Sequence, residues 1–477
     1  MERAEGPGPA PGLVLARLDR LSVWSLPYLF IGVIGVGFLF TFFDIFDINV
    51  SFIQTCITIQ PHCTPVNASG YLGLPVLLNL VGYVIGTLIL SPLSDRFGRR
   101  DMLLITLVIT GLGSLGTAFV HDMAQFILAR TVTGIGIGAD LAIVNTYINE
   151  VAPRQGRARY TALIFIMSAL GAFLGIWLGL LLTTPATAFP LGLPFAMAGP
   201  HFTNGWQVMY LIGALLALVG VLLRVQLPES PRWLINHGRV HDADLVVGSM
   251  EKLAELRGPL PEVAGPVPVE PETPALPYSA IFGNSFYLKR TLLLLAMWFV
   301  SYVTVYAFAS GFTTILAGLH YPPPEAGLIA AFGTIGFIAC AVVAYLWGER
   351  LERKIWVPIS AVLTLLGGVL IAVAGQVFVI SIIGSMVVFF GFNLWVPIAY
   401  SWSTENYPTR ARTTGFALVD GIGHLGGGLG IILIAPLIPS LSVMGAFLFI
   451  GSFLVVGAII AQFGVNTRGR QLEDISP

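Results

Sequence analysis

The sequence predicts an all-α membrane protein: twelve transmembrane helices in two six-helix bundles related by a pseudo-twofold axis. Three observations carry that expectation, namely the composition, the number of long apolar runs and an internal repeat. Of the 477 residues, 56% are hydrophobic and 10% charged, and the mean hydropathy is +0.84. A soluble chain carries about 25% charged residues to face water, and a single soluble core splits into domains beyond roughly 250–300 residues. These values exclude a soluble enzyme, a nucleic-acid binder and a disulfide-stapled secreted domain. The formal net charge of -1 is uninformative as a total; its placement is not.

A helix crossing ~30 Å of hydrocarbon needs about 20 mostly apolar residues. After a tail over 1–25, six runs reach that length within 26–226: 26–54, 70–93, 102–120, 123–149, 160–183 and 206–226. The first exceeds the about 7–15 residues of a signal-peptide core, so it reads as a retained span. A linker over 227–287 follows. Six more runs fill 288–463: 288–317, 326–347, 355–375, 377–403, 413–436 and 441–463, with a tail over 464–477. The alternating ten-residue pattern of barrel strands is absent.

Arg3, Arg17 and Arg20 precede the first span; Arg96, Arg99 and Arg100 follow the second; Arg154, Arg157 and Arg159 follow the fourth. Arg224, Arg232, Arg239, Lys252, Arg257, Lys289 and Arg290 surround the linker. Arg350, Arg353 and Lys354 follow the eighth span, Arg410 and Arg412 the tenth, and Arg468 and Arg470 close the chain. Every basic residue except Arg130 thus falls on one side of twelve spans. The positive-inside rule makes that side cytoplasmic, with both termini there, as in a multi-pass plasma-membrane protein. Of the three cysteines, Cys56 and Cys63 lie on the other side and can pair if it is oxidising, or stay free.

The chain repeats at an offset of 254–255 residues: Asp95–Arg100 matches Glu349–Lys354, and Glu150 and Pro153 match Glu405 and Pro408. Two six-span halves are therefore fused head to tail. In the linker, Arg239–Arg257 reads as an amphipathic helix, and seven prolines from Pro259 to Pro277 make an extended tether. Parallel repeats of this kind build transporters that rock two bundles about a midplane site.

Several motifs resemble one family. Ser91-Pro92-Leu93-Ser94-Asp95-Arg96-Phe97-Gly98-Arg99-Arg100 resembles the signature loop between helices 2 and 3 of the major facilitator superfamily. Arg130 with Gly134, Gly136 and Gly138 resembles its fourth-helix pattern. Pro228-Glu229-Ser230-Pro231-Arg232-Trp233 resembles the end of helix 6 in sugar porters and related metabolite:proton symporters, and Tyr407–Arg412 with Gly415 is similar to their helix 10–11 loop. The resemblance implies a secondary transporter and not an enzyme, with a small-molecule substrate and protons as partners in the bilayer; a monomer is the expected state.

Independently of the family, Asp95 with Arg96, Arg99 and Arg100 forms a charge cluster, with Gly98 for a tight turn. Together with Glu150, Glu349, Arg353, Glu405 and Arg410 it reads as a gate that latches the two halves in one state, beyond its role in topology. Gly134, Gly136 and Gly138, and Gly171, Gly175 and Gly179, read as close helix packing.

Ionisable groups within spans are functional candidates. Asp44, Asp47 and Arg130 fall at similar depth, so a carboxylate–guanidinium pair there can exchange partners when an acid takes up a proton. The resemblance matches Asp47 to the coupling aspartate of helix 1 and Arg130 to the arginine of helix 4; a permanent structural ion pair is the alternative. Asp140 lies deeper toward the basic side and reads as a second proton relay or a substrate contact, against a buried neutral acid. Its surroundings match the phosphate:proton branch only in part. Asp420 and His424 share a helix face at i, i+4 and read as a proton relay or as a packing histidine. They are too few for a metal site, and no cofactor is implied.

Asn79, Trp298, Tyr302, Tyr306, Asn393, Trp395 and Trp402 are candidates to line a substrate cavity. The paired glutamines of helix 7 in sugar porters are missing, which speaks against a hexose. The expected function is proton-coupled symport of a small polar metabolite, sugar-like or a weak organic acid. The alternatives are a phosphate:proton symporter, an uncoupled facilitator or exporter, and a transporter-like sensor.

Overall fold

The computed structural model describes residues 10–21, 28–151, 157–256, 258–263, 265–267, 278–374, 377–408 and 412–468. Among these residues, eleven helices are long and apolar enough to cross a bilayer, and one bent pair, taken as one span, makes twelve. Helix α1 (Pro11–Asp19) precedes them. The first span is the pair α2 (Tyr28–Phe46) and α3 (Ile48–Ile59), bent by 44°. The second is α4 (Ala68–Ile85), which passes through a wide turn at Gly86–Leu90 into α5 (Ser91–Phe97). Then come α6 (Arg99–Ala118), α7 (Met123–Val151), α8 (Arg157–Thr183) and α9 (Gly205–Arg224).

Three short helices lie between the sixth and seventh spans: α10 (Pro231–Asn236), α11 (Val240–Glu255) and α12 (Tyr278–Gly283). The last six spans are α13 (Ser285–Gly318), α14 (Pro323–Trp347), α15 (Trp356–Ala374), α16 (Phe378–Leu394) with α17 (Val396–Glu405), α18 (Arg412–Ile434) and α19 (Val443–Gln462). Extended pairing among the described residues is confined to two isolated bridges in the loop after α8.

The pairwise packing displays the pseudo-twofold directly. In the first half α2 packs on α8 and α9, α6 on α7 and α9, and α4 on α7. In the second half α13 packs on α18 and α19, α15 on α16 and α19, and α14 on α16. Each of these contacts of the first half has its counterpart six spans later. The halves then meet through α4 on α18, α8 on α14 and α3 on α13, a set that maps onto itself under the same exchange. Glycines make these approaches possible: added Cβ atoms at Gly134 and Gly138 would strike the main-chain oxygens of Asn79 and Tyr83 on α4, and one at Gly171 that of Leu39 on α2.

At the arginine-rich end, hereafter the basic face, α11 spans nearly the range the linker pattern predicts. It is not solitary. Val14, Leu15 and Leu18 of α1 bury against the patch formed by Ala243, Val247 and Met250, and Arg17 and Arg20 both bond Glu251. Only part of the proline tether lies within the described residues. On the opposite face, Cys56 and Cys63 form a disulfide, and Phe189 of the loop after α8 meets Phe378 of α16.

Candidate functional site

The bend between α2 and α3 has a local cause. Arg130, on α7, donates from Nη2 to the main-chain oxygen of Asp44 at 2.7 Å. That acceptor is one the helix ladder would otherwise use, and a side chain inserted there kinks a helix. The same guanidinium donates from Nη1 to Asp44 Oδ2 at 3.1 Å, and Ser114 on α6 donates to Asp44 Oδ1 at 2.6 Å. Asp47 sits at the bend, with Oδ1 3.6 Å from Arg130 Nη1. It is fully buried, and neither of its carboxylate oxygens has a hydrogen-bond partner. Asp44 is therefore the firmly held partner of Arg130, and Asp47 the loosely held one. Two carboxyl groups face one guanidinium in a water-poor site.

Arg130 is itself supported. Tyr210 places its ring 5.5 Å from the guanidinium carbon, and Asn79 donates to the main-chain oxygen of Arg130 at 2.6 Å. Between this group and the second half lies a cleft lined by Ile45, Ile48, Val76, Asn79, Arg130, Tyr306 and Ser310, among others. Its free space, about 10 Å³ for the centre of a water, holds about one water molecule. A metabolite enters only if the halves part.

Tyr306 links that cleft to an aromatic cage around Asp420 and His424. Tyr83 of α4 donates to Asp420 Oδ2 at 3.0 Å, and Tyr302 of α13 donates to Oδ1 at 3.1 Å. His424 donates from Nδ1 to the main-chain oxygen of Asp420 at 2.6 Å. Its ring lies between Tyr83, 3.9 Å away, and Tyr302, 4.2 Å away, with Tyr306 at 5.7 Å. Trp298 closes the cage against Trp395 at 4.6 Å and Tyr400 at 5.4 Å. The cage thus draws on both halves, with Tyr83 from the first and the rest from the second.

Two sequence-based placements need correction. Trp402 does not join the cage: it bonds the main-chain oxygen of Val465 and packs on Gly464 at the basic face. Arg224 is not a linker arginine, so Arg130 is not the only cation among the spans. Arg224 is fully buried, forms an ion pair with Asp140, and also donates to Asp140 Oδ2 at 3.1 Å and to the Leu103 main-chain oxygen. Thr106 donates to Asp140 as well. Gly37 leaves the room that the guanidinium fills. Asp140 is thus tightly paired with Arg224 and is not among the residues that line the cleft. Asn393, 8% exposed, approaches the Cys340 thiol of α14.

The charged loops at the basic face form two clusters. In the first, Arg99 pairs with Asp95 and with Glu150, the latter at 2.9 Å. Gly98, at φ +104°, turns the chain so that Glu229 accepts from the amides of Arg99 and Arg100. In the second, Arg353 pairs with Glu405 at 3.4 Å. The repeated acid Glu349 is exposed and has no ion pair among the described residues; Glu352 instead accepts from the amides of Arg353 and Thr467. Arg96 is exposed over the Phe97 ring and Arg410 lies outside the described residues. Among the described residues no ion pair of either cluster crosses between the halves; those described join elements of one half.

Tyr83, Tyr400, Asn49 and Ser114 escaped the reading of the sequence, and Arg224 was placed in the linker. Tyr83 lies one turn beyond Asn79 on the same face, a signal that was available. Arg224 closes an apolar run, where an arginine looks like a loop residue.

Comparison with known proteins places the chain in a family. A family model described as "Sugar (and other) transporter" matches residues 28–477. The chain is 26% identical over 476 residues to the niacin transporter NiaP of Acinetobacter baylyi, covering 97% of this chain and 99% of that protein. It is 29% identical over 408 residues to the 4-hydroxybenzoate transporter PcaK of Pseudomonas putida, covering 82% of each. The partially occluded inward-open structure of the xylose transporter XylE from E. coli superposes with a TM-score of 0.71 at 19% identity, over 93% of this chain and 99% of that one. The chain belongs to the sugar (and other) transporter family, as a twelve-helix membrane transporter of the major facilitator fold.

Proposed function

We propose that this chain is a proton-coupled symporter of a small aromatic or heteroaromatic weak acid, working by alternating access. The observation that carries the coupling is the Asp44–Arg130–Asp47 arrangement: one acid held firmly, a second buried beside the same cation without a hydrogen bond. A proton arriving on Asp47 cancels the excess negative charge; its departure lets Asp47 compete for Arg130. The substrate class rests on the cage, where flat Tyr and Trp faces suit a planar ring, and on the niacin and 4-hydroxybenzoate named for two relatives. A sugar is the second reading, favoured by the likeness to a xylose transporter.

The basic face is taken as cytoplasmic and the membrane as the plasma membrane. The Cys56–Cys63 disulfide supports this independently of the arginines, because disulfides persist on the oxidising side. The two bundles, 26–226 and 288–463, are the moving bodies, and a single chain suffices.

The test is reconstitution in liposomes with an imposed pH gradient and labelled nicotinate, 4-hydroxybenzoate and xylose. The expected result is uphill accumulation of an aromatic acid with acidification of the lumen. Asp47→Asn should abolish accumulation and leave exchange, whereas Arg130→Ala should cripple both. Unchanged accumulation in Asp47→Asn overturns the coupling, and accumulation of xylose alone overturns the substrate class.

A further inference from the structure

Asn49, on α3, is fully buried and reaches across to the other half. Its Nδ2 donates to the main-chain oxygens of Phe308 at 3.0 Å and Ala309 at 2.7 Å. Its Oδ1 accepts from Thr313 Oγ1 at 2.7 Å and from the Thr313 amide at 3.3 Å. An asparagine amide offers two donors and one oxygen with two lone pairs, and all are used, every one of them on α13. An amide left dry and unpaired is costly, so this side chain is satisfied either by α13 in its present place or by water. No intermediate position of the seam serves it.

The position of Asn49 in the chain adds the second observation. It follows Asp47 by two residues, on the short segment whose 44° bend the Arg130 contact to Asp44 imposes. Toward the opposite face, α3 runs on to Cys56 and the disulfide. One stretch of backbone therefore carries the ion site and, two residues on, the seam between halves, and leads from there to the disulfide.

We infer that Asn49 is the clasp that closes the disulfide-bearing face, and that the bend at Asp47 ties its closure to the Asp44–Arg130–Asp47 site. It is a positioning residue: it holds α13 and touches neither proton nor substrate. The inference rests on alternating access, but not on the coupling ion or on the substrate class.

The experiment uses the full chain in proteoliposomes with Cys340→Ser and a reporter, Ser310→Cys, which lines the cleft. A membrane-impermeant maleimide is added from one face at a time. Adding Asn49→Ala should speed labelling roughly tenfold from the disulfide-bearing face, the scale expected for freeing several buried hydrogen bonds, with no rise from the basic face. An unchanged rate, or an equal rise from both faces as in a merely loosened protein, overturns the clasp. If Asn49→Ala is not recovered as a monodisperse protein, Thr313→Val decides: a rise of about threefold from the same face supports the clasp, and no change overturns it. Substrate exchange is followed in the same vesicles. A parent that transports nothing counts against the transport reading, while the labelling still judges the clasp.

Discussion

The two buried acid–arginine groups of the first half look alike in a sequence and differ in what holds them. Asp140 is enclosed by Arg224 and Thr106, with both carboxylate oxygens bonded. Asp47 shares Arg130 with Asp44, and no side chain donates a hydrogen bond to its carboxylate. Removing the charge of one acid or of the other should therefore have unequal consequences. Asp47→Asn leaves Arg130 its firm partner, and the melting temperature in detergent should stay near that of the parent. Asp140→Ala strands Arg224 in a dry site and should cost about 3–5 kcal/mol, while Asp140→Leu with Arg224→Met restores most of the loss. Equal melting temperatures for Asp47→Asn and Asp140→Ala would refute the distinction. The acids were legible in the sequence because a carboxyl group inside an apolar run stands out, and so was Arg130 as the partner of Asp44 and Asp47. The partner of Asp140 was not: Arg224 lies at a span's end, where topology explains an arginine without recourse to burial.

Elements were legible where hydrophobic length is the signal and illegible where docking is. Twelve spans follow from run lengths, but α1 is a nine-residue helix too short to stand alone in water. It exists because the α11 patch covers its apolar face and because Arg17 and Arg20 converge on Glu251. Burial pushes the Glu251 carboxyl up, but the hydrogen bonds from Arg17 and Arg20 outweigh it and hold the group below the usual carboxylate range. A group depressed in the folded state adds stability above its unfolded value, near about 4.3 for glutamate, and loses it as the pH falls through the lower folded value. Hydrogen-exchange protection of residues 11–19, corrected for the intrinsic rate, should thus be constant above about pH 5 and fall on further acidification. Glu251→Gln should lower protection at neutral pH by roughly 5- to 30-fold, about 1–2 kcal/mol for partly exposed charged bonds, and flatten the acid limb. A parent profile without that limb would show that α1 is held by its apolar face alone.

At the scale of the molecule, duplication was legible from two short motifs, but the seam between the copies was not. Motif spacing reports the order of spans and is silent on which side chains face across. The seam proves to be polar at chosen points and tightly packed elsewhere: Asn49 on α13 near the disulfide-bearing face, Tyr83 on Asp420 at the level of the cage, and Thr87 against Gly421 on α18. Among the described residues the ion pairs of the basic face stay within their own halves, whereas these contacts cross the seam and can report motion of the halves. An ideal Cβ at Gly421 falls 3.8 Å from Thr87 Cβ, within the about 3.5–4.5 Å that a disulfide spans. Thr87→Cys with Gly421→Cys should accordingly cross-link under mild oxidant and join α18 to the turn that follows α4. If the cage opens by parting these two helices, the oxidised double variant should retain less than about a tenth of its transport and recover it with dithiothreitol, because a covalent bridge holds the bundles far more firmly than any seam contact. Each single variant, taken through the same oxidation and reduction, controls for the native Cys56–Cys63 bond. Full transport by cross-linked protein would mean that the halves do not separate at α4 and α18, and the cage would then have to fill by another route.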